Sequence, residues 1–335
     1  MGELKSKITG CGSAPASRVV TNAELEGLVD TTDEWISTRT GIKERRVTTG
    51  ERASELAATA AKKAIKAAGI TAKDIDLIVV GTVTPDMVFP STACFVAAAV
   101  GVRAGVPAFD VSAACSGFIY ALDIADKYVK SGTAKNVLVI GVDFFSRIID
   151  WTDRSTCVLF GDGAGAVVLS ATRGTKTGLL SSHIHSDGRK WETLYAPSLP
   201  HPNPFEKKNK PSQADDLRGK TNIKMNGSDT FKLAVRTMTN AAREVIELNG
   251  LVPADIKLLI PHQANVRIMK ATQQRLGLSD DQVFSNIEKY GNTSAASIPI
   301  AIDEAHAGGL IKKGDVIILV AFGGGLTWAS AAIRW

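Results

Sequence analysis

The chain has 335 residues, 44% of them hydrophobic, with 39 Lys and Arg against 34 Asp and Glu for a formal net charge of +5. That length supplies a sizeable core for one large domain or two fused ones, and the mild, dispersed charge argues against nucleic acid while suiting an acidic protein or a phosphate-bearing ligand. No apolar run nears the roughly 20 residues of a membrane helix, and the opening MGELKSKITG lacks the apolar stretch of a secretory signal, so a cytoplasmic protein is expected.

Residues 63–80 (KAIKAAGITAKDIDLIVV) read as a helix closing at Gly69, a short turn and an apolar strand. The next strand is AFDV at 108–111. After it come Ser112, Ala113, Ala114 and Cys115, then a helix in which Phe118, Leu122, Ala125 and Val129 share one face. Cys115 therefore stands where a strand turns into a helix. Small neighbours allow a tight turn and a close substrate, and the helix N-terminus favours thiolate, the nucleophilic form. A buried structural thiol suits the same position. Cys11, Cys94 and Cys157 are scattered without a CxxC pair, read as buried thiols, and indicate neither zinc nor a disulfide framework. The glycine cluster at 161–165 precedes a strand instead of opening a helix, so a dinucleotide site is rejected. His183 and His185 alternate on a strand without a third ligand, and no metal is expected there.

The second half repeats the first. Residues 244–261 (EVIELNGLVPADIKLLIP) match 63–80 at an offset of 181, pairing Gly69 with Gly250, Asp74 with Asp255 and Ile75 with Ile256. ALDIA at 121–125 matches AIDEA at 301–305 at an offset of 180, and each helix leads to a buried-strand run, Val137–Ile140 and Val316–Val320. The order helix–strand–loop–helix–strand thus occurs twice. It predicts an α/β fold of two duplicated halves, residues 1–177 and 178–335, with strands covered on both faces. A site between such halves draws on equivalent strand ends. There stand His262, Gln263, Ala264 and Asn265 after LLIP, and the loop from Tyr290 to Ser297, whose Asn292 occupies the rim equivalent to Ser112. A lone His has a structural reading and an Asn beside Gly is a turn former; the combination with Cys115 at one kind of location points to chemistry. The triplet Gly323, Gly324 and Gly325 either turns tightly between strands or turns backbone N–H groups to a ligand, where one of them and that of Cys115 can form an oxyanion hole.

Six segments carry a family resemblance: DEWISTRTGIKERR (33–46), AFDVSAACSGF (108–118), FGDGAGA (160–166), HQANVR (262–267), GNTSA (291–295) and AFGGGLTW (321–328). Through them nearly the whole chain resembles β-ketoacyl-acyl carrier protein synthase III, the initiating condensing enzyme of bacterial-type fatty acid synthesis. The Cys-His-Asn set differs from the Cys-His-His of elongating synthases and the Cys-His-Cys of thiolases. The resemblance implies a thiolase-like fold, duplicated α/β halves in an α-β-α-β-α sandwich. It also implies that Cys115 takes the acyl group of a short acyl-CoA, acetyl-CoA first among them. The amides of Cys115 and Gly324 would hold the oxyanion. His262 and Asn292 would donate to the malonyl thioester oxygen while carbon dioxide leaves, which removes the need for a metal; coenzyme A enters as substrate, and no cofactor is implied.

Further positions follow from the same resemblance. Trp35 and Arg154 match the pair that sandwiches the CoA adenine, and Arg39 and Asn265 join the CoA-binding set; Asn265 also resembles a residue that orients the His and Asn region. Lys232, Arg267 and Arg275 match basic positions that meet acyl carrier protein. Met87 and Phe89 fall where the family lines its acyl pocket and its dimer contact, and a homodimer is implied. The polar segment 200–222 appears as an expansion before Met225, Asn226 and Gly227, which in the family shape the pantetheine entrance. The rival readings are a same-fold enzyme of a specialised polyketide or quinolone pathway, a Cys–His thioester hydrolase, and a non-catalytic scaffold.

Overall fold

A computed structural model of the chain describes residues 4–174, 176–197 and 221–335; the segment 200–222 lies outside the described residues up to position 220. The strands of the first half are β1 (Leu4–Pro15), β2 (Arg18–Thr21), β3 (Glu44–Val47), β4 (Leu77–Gly81), β5 (Ala108–Val111), β6 (Asn136–Phe144) and β7 (Asp162–Arg173). Those that follow are β8 (Gly178–Ser186), β9 (Leu194–Tyr195), β10 (Lys224–Met225), β11 (Ile256–Pro261), β12 (Val316–Gly323) and β13 (Thr327–Arg334).

Two sheets share one plan. The first runs β1-β7-β6-β4-β5 and the second β8-β13-β12-β11. In each, the pair that continues the repeat is parallel, β4 with β6 and β11 with β12, while β7 and β13 run antiparallel to both neighbours. The fifth position of the second sheet shrinks to one parallel bridge, Leu259 to Val283, where the first sheet has β5. The runs LIVVG of β4 and VIILVAFG of β12 are buried at every residue, as strands covered on both faces must be.

Five layers follow from the packing. Helices Gly117–Lys130 and Ser297–Ala307 lie between the sheets, where Phe118, Leu122, Ile298 and Ile302 meet Val79 and Val139 on one side and Ile260 and Leu319 on the other. Helix Ala53–Ala67 covers the outer face of the first sheet, and helices Gly227–Leu248 and Val266–Leu276 cover that of the second. The stripe Phe118, Leu122, Ala125 and Val129 is wholly buried, and so are Ile119 and Ala121 off that stripe, because this helix has a sheet on each side. Truncating such a side chain to alanine costs about 2–5 kcal/mol.

The repeat extends to backbone conformation. Ala114 (φ 46°) and Ser294 (φ 51°) hold the left-handed region at an offset of 180, each in a short turn before a central helix. That region is costly for a side chain with a Cβ, and its double occurrence marks the two turns as one device. Cys94 departs from expectation: it is exposed, on the outer side of helix Thr92–Val100, with its sulfur 3.2 Å from Ser91 Oγ. Cys11 and Cys157 are buried.

Candidate active site

The two central turns meet at the junction of the sheets. Cys115 follows Ala114 at the head of helix Gly117–Lys130, and the end of β12 lies against it. A Cβ on Gly323 would stand 2.6 Å from the Cys115 nitrogen, so only glycine lets the strand approach this closely. Thr327 Oγ1 donates to Ala113 O at 2.8 Å, tying β13 to the same turn. His262 leaves β11 with its N–H bonded to Val320 O at 2.8 Å. Asn292 is stitched to the other half: its N–H donates to Leu159 O at 2.8 Å, and Gly161 N–H donates to Asn292 O at 3.0 Å.

Cys115, His262, Asn292 and Gly324 line one cavity of about 870 Å³, together with Trp35, Arg39, Asn265, Lys232 and Arg267. That volume suits a ligand of cofactor size. Arg154 lies at its edge, its Cζ 4.9 Å from the Trp35 ring centroid, and Arg39 Cζ is 5.0 Å from the same centroid. Trp35 and Arg154 stand in direct contact, so a base stacking between them needs Arg154 to swing outward; Arg154 also donates a hydrogen bond to Asp30 O at 2.7 Å. Arg267 rests on Phe231, Cζ to centroid 5.4 Å. Arg275 lies outside the cavity, in an adjoining groove that shares Lys232 and adds Lys190 and Arg236.

The electrostatics correct one expectation. Burial pushes the Cys115 thiol up to about 12, and the nearby Asp143 carboxylate adds to the rise, while a hydrogen bond from Ser294 Oγ at 3.3 Å opposes it. A helix end contributes about 0.3–1 kcal/mol, under one pKa unit, whereas full burial moves a group by up to about 3–5 units. Desolvation wins, and the resting group is a thiol, not the thiolate the helix end alone would favour. Burial also pushes His262 down to about 3, which leaves the imidazole neutral.

Asn292 presents a known end of its amide. A backbone N–H can only donate, and that of Ser294 reaches Asn292 Oδ1 at 2.9 Å. The amide NH2 is therefore the part free for a ligand. Below Cys115, Asp143 accepts from Thr82 Oγ1, Val83 N and Thr84 Oγ1 at 2.8–3.1 Å and from Ala295 N at 3.2 Å. Burial raises its carboxyl above the usual range against those bonds.

Two expectations about placement fail. Met87 and Phe89 do not line this chain's cavity: they stand 47% and 81% exposed, with Val88 at 94%, because the loop after β4 turns outward. Asn265 does not orient His262 or Asn292 directly. Its side chain caps helix Val266–Leu276 by accepting from Arg267 N at 2.8 Å, and the group behind His262 is Ser297, whose Oγ lies 2.7 Å from Nδ1. His185 bonds Glu244 at 3.0 Å and stacks on Trp328, and no metal-binding group of three occurs among the described residues.

Ser294, Ser297 and Asp143 carry no site reading in the sequence, and Gly323 has one only as part of the glycine triplet, not as the contact that seats Cys115. The serines sit inside the loop already singled out, but only packing shows what they face. Asp143 carried a usable signal, a carboxylate closing the apolar run VLVIGVD.

Comparisons with known proteins agree along the chain. The family model for 3-oxoacyl-(acyl-carrier-protein) synthase III matches residues 109–188, and that for its C-terminal part matches residues 246–335. A model for stage V sporulation protein AD also matches, at residues 5–148. A β-ketoacyl-(acyl-carrier-protein) synthase III of Xanthomonas campestris pv. campestris is 50% identical over 333 residues, 99% of either chain. The crystal structure of 3-oxoacyl-(acyl-carrier-protein) synthase III from Aquifex aeolicus superposes with a TM-score of 0.90 at 49% identity, covering 98% of this chain and 100% of that one. A priming β-ketosynthase of a polyketide biosynthetic pathway superposes at 0.89 with 34% identity, over 100% of this chain and 97% of that one. With the thiolase-like layers and the duplicated turns already described, these matches make the chain a member of the 3-oxoacyl-(acyl-carrier-protein) synthase III family.

Proposed function

We propose that the protein initiates fatty acid biosynthesis by condensing a short acyl-CoA, acetyl-CoA first among them, with malonyl-acyl carrier protein to give 3-oxoacyl-acyl carrier protein. The observation that carries this reading is the convergence of Cys115, His262, Asn292 and Gly324 on one cavity from both halves of the chain. Cys115 Sγ attacks the thioester carbonyl and its proton ends on the departing CoA sulfur, leaving acyl-Cys115. The amides of Cys115 and Gly324 receive the charge on the tetrahedral oxygen. Malonyl thioester then enters; its carboxylate leaves as carbon dioxide, and the electrons of the broken bond form an enolate. Hydrogen bonds from His262 and the Asn292 amide stabilise that charge more than the ground state. The enolate carbon attacks the acyl-Cys115 carbonyl, the new carbon–carbon bond forms as the carbon–sulfur bond breaks, and the released thiolate takes up one proton from water to restore the thiol.

In this reading Trp35, Arg39, Arg154 and Asn265 hold CoA, and Lys232, Arg267 and Arg275 meet the acidic carrier protein. The exposed apolar residues Met87, Val88 and Phe89 support a homodimer that covers them. The halves 1–177 and 178–335 are two copies of one ancestral unit. A cytoplasmic place accords with the described residues, no helix of which is long and apolar enough to cross a membrane.

Incubation with radiolabelled acetyl-CoA and malonyl-acyl carrier protein tests the reading. Acetoacetyl-acyl carrier protein is the expected product. Failure to form it, with turnover of a bulkier acyl donor, would transfer the chain to a specialised pathway, the second reading favoured by the 34% identity to the polyketide priming synthase.

A further inference from the structure

A neutral imidazole has two tautomers, and they do opposite work. With its proton on Nε2, His262 can donate to a thioester oxygen. With its proton on Nδ1, Nε2 is bare and acts as a base. The loop after Asn292 bears on which one forms. Ser297 Oγ lies 2.7 Å from His262 Nδ1, and both side chains are buried, 2% and 1% exposed. A serine hydroxyl has one hydrogen to give and lone pairs to receive. The backbone N–H of Gln263, which can only donate, points at the same Oγ from 3.5 Å. It takes one of the two lone pairs and leaves the other. The hydroxyl hydrogen decides the direction: among the described residues Nδ1 is the one acceptor within hydrogen-bond distance of Ser297 Oγ, so this buried hydrogen goes to Nδ1, and a nitrogen that accepts a hydrogen bond carries no proton of its own.

We propose that Ser297 is a positioning residue that holds His262 as the Nε2–H tautomer, making it a hydrogen-bond donor to the cavity and not a base for Cys115. The identity of the oxygen that receives the bond rests on the condensing function proposed above; the tautomer does not. Burial supports the assignment by keeping the ring neutral, so that only one nitrogen is protonated. The arrangement at Asn292 is parallel, since Ser294 N–H occupies Oδ1 and leaves the amide NH2. One loop, 292–297, thus turns two side chains donor-side outward. A second consequence concerns the thiol. Nε2–H cannot take the Cys115 proton, and the hydroxyl that touches Sγ is that of Ser294, at 3.3 Å.

Nitrogen NMR of the full chain labelled with 15N-histidine reads the tautomer without substrate, the His262 signals being those missing from a His262→Asn protein. The expected spectrum has the His262 proton on Nε2 and a bare, hydrogen-bonded Nδ1. A proton on Nδ1, or an even mixture, overturns the proposal. In Ser297→Ala the tautomers should mix. Losing a whole oxyanion donor costs about 10²–10³ in turnover, so losing its bias should slow malonyl-carrier protein decarboxylation roughly ten- to a hundredfold. Acetylation of Cys115, followed by intact mass, should stay within about twofold of wild type. Ser297→Thr, which keeps the hydroxyl, should restore the Nε2–H signal. Equal slowing of both half-reactions in Ser297→Ala would mark a merely structural role and overturn the proposal. Should that variant fail to fold, the wild-type spectrum still decides. An Nε2–H ring in a protein that makes no 3-oxoacyl product would sink the condensing reading and leave the tautomer standing.

Discussion

Replacing Gly323 with alanine tests how the second half of the chain positions a nucleophile carried by the first. The new Cβ would lie 2.6 Å from the Cys115 nitrogen, 3.1 Å from its Cβ and 3.2 Å from Ala114 Cβ. Ordinary contact begins near 3.4 Å, so the backbones must part by about 0.8 Å at the tightest point. Neither side yields cheaply. Gly323 is paired in register with Thr327 across β12 and β13, and Ala114 already holds φ 46°. Overpacking of this kind costs about 1–3 kcal/mol of stability, and a displacement near 1 Å at a reacting group costs roughly 10²-fold in rate. Gly323→Ala should therefore fold, melt a few degrees lower, and form acetyl-Cys115 about a hundredfold more slowly when quenched samples are weighed by intact mass. Gly188→Ala is the control, since a Cβ there meets nothing within 4 Å. An acylation rate and melting temperature unchanged in Gly323→Ala would refute the argument that this contact sets the position of Cys115.

Asn292→Ala should keep acyl transfer to Cys115 and lose malonyl decarboxylation by about 10²–10³; a thioester hydrolase would instead keep its activity, so hydrolysis undiminished in the variant counts against condensation. Burial holds His262 near 3 in the fold, whereas an exposed histidine titrates near 6.5. Between those values the unfolded chain binds a proton that the folded one does not. Stability should be full above about pH 6.5 and fall by up to about 1.4 kcal/mol per unit as the pH drops toward 3, and denaturant titrations of His262→Asn should lack that component. Trp35→Ala removes a stacking surface worth about 1–3 kcal/mol per base, so the KM for acetyl-CoA should rise about tenfold at constant kcat. With acetyl-pantetheine, which has no adenine, the effect should vanish, and its persistence would place the base elsewhere.

The layered fold was legible because its signals are local. Apolar runs such as LIVVG and VIILV need no partner to be recognised as strands covered on both faces, and the spacing of Phe118, Leu122, Ala125 and Val129 is a helix stripe at sight. What escaped depends on neighbours far along the chain. The second sheet answers β5 with a single bridge at Val283, a residue with no strand pattern around it. Cys94 carries an apolar context, between Ala93 and Phe95 with Val96 next, yet its helix shows that face outward. Met87 and Phe89 read as pocket residues through the family resemblance, and the turn that carries them away from this chain's cavity follows from no property of either side chain.

The site divides in the same way between place and state. That Cys115 opens a helix after a strand is written in AFDVSAACSGF, and its position follows from that pattern. Its protonation does not, because ionisation is set by everything within a few ångströms, most of it distant in sequence. Ser294 and Gly323 arrive from the other half and pack against Cys115, His262 lines the same cavity, and Asp143 comes from β6. In the proposed reaction, the same closure that keeps the resting thiol protonated strengthens the donors at His262 and Asn292, since a hydrogen bond to developing charge gains strength as water is excluded. A more exposed Cys115 would ionise more readily at rest and lose part of that stabilisation in the condensing step. A buried thiol held neutral is less nucleophilic toward stray electrophiles than a thiolate, so in the proposed reaction the same burial protects the resting Cys115 and strengthens the hydrogen bonds that meet the enolate.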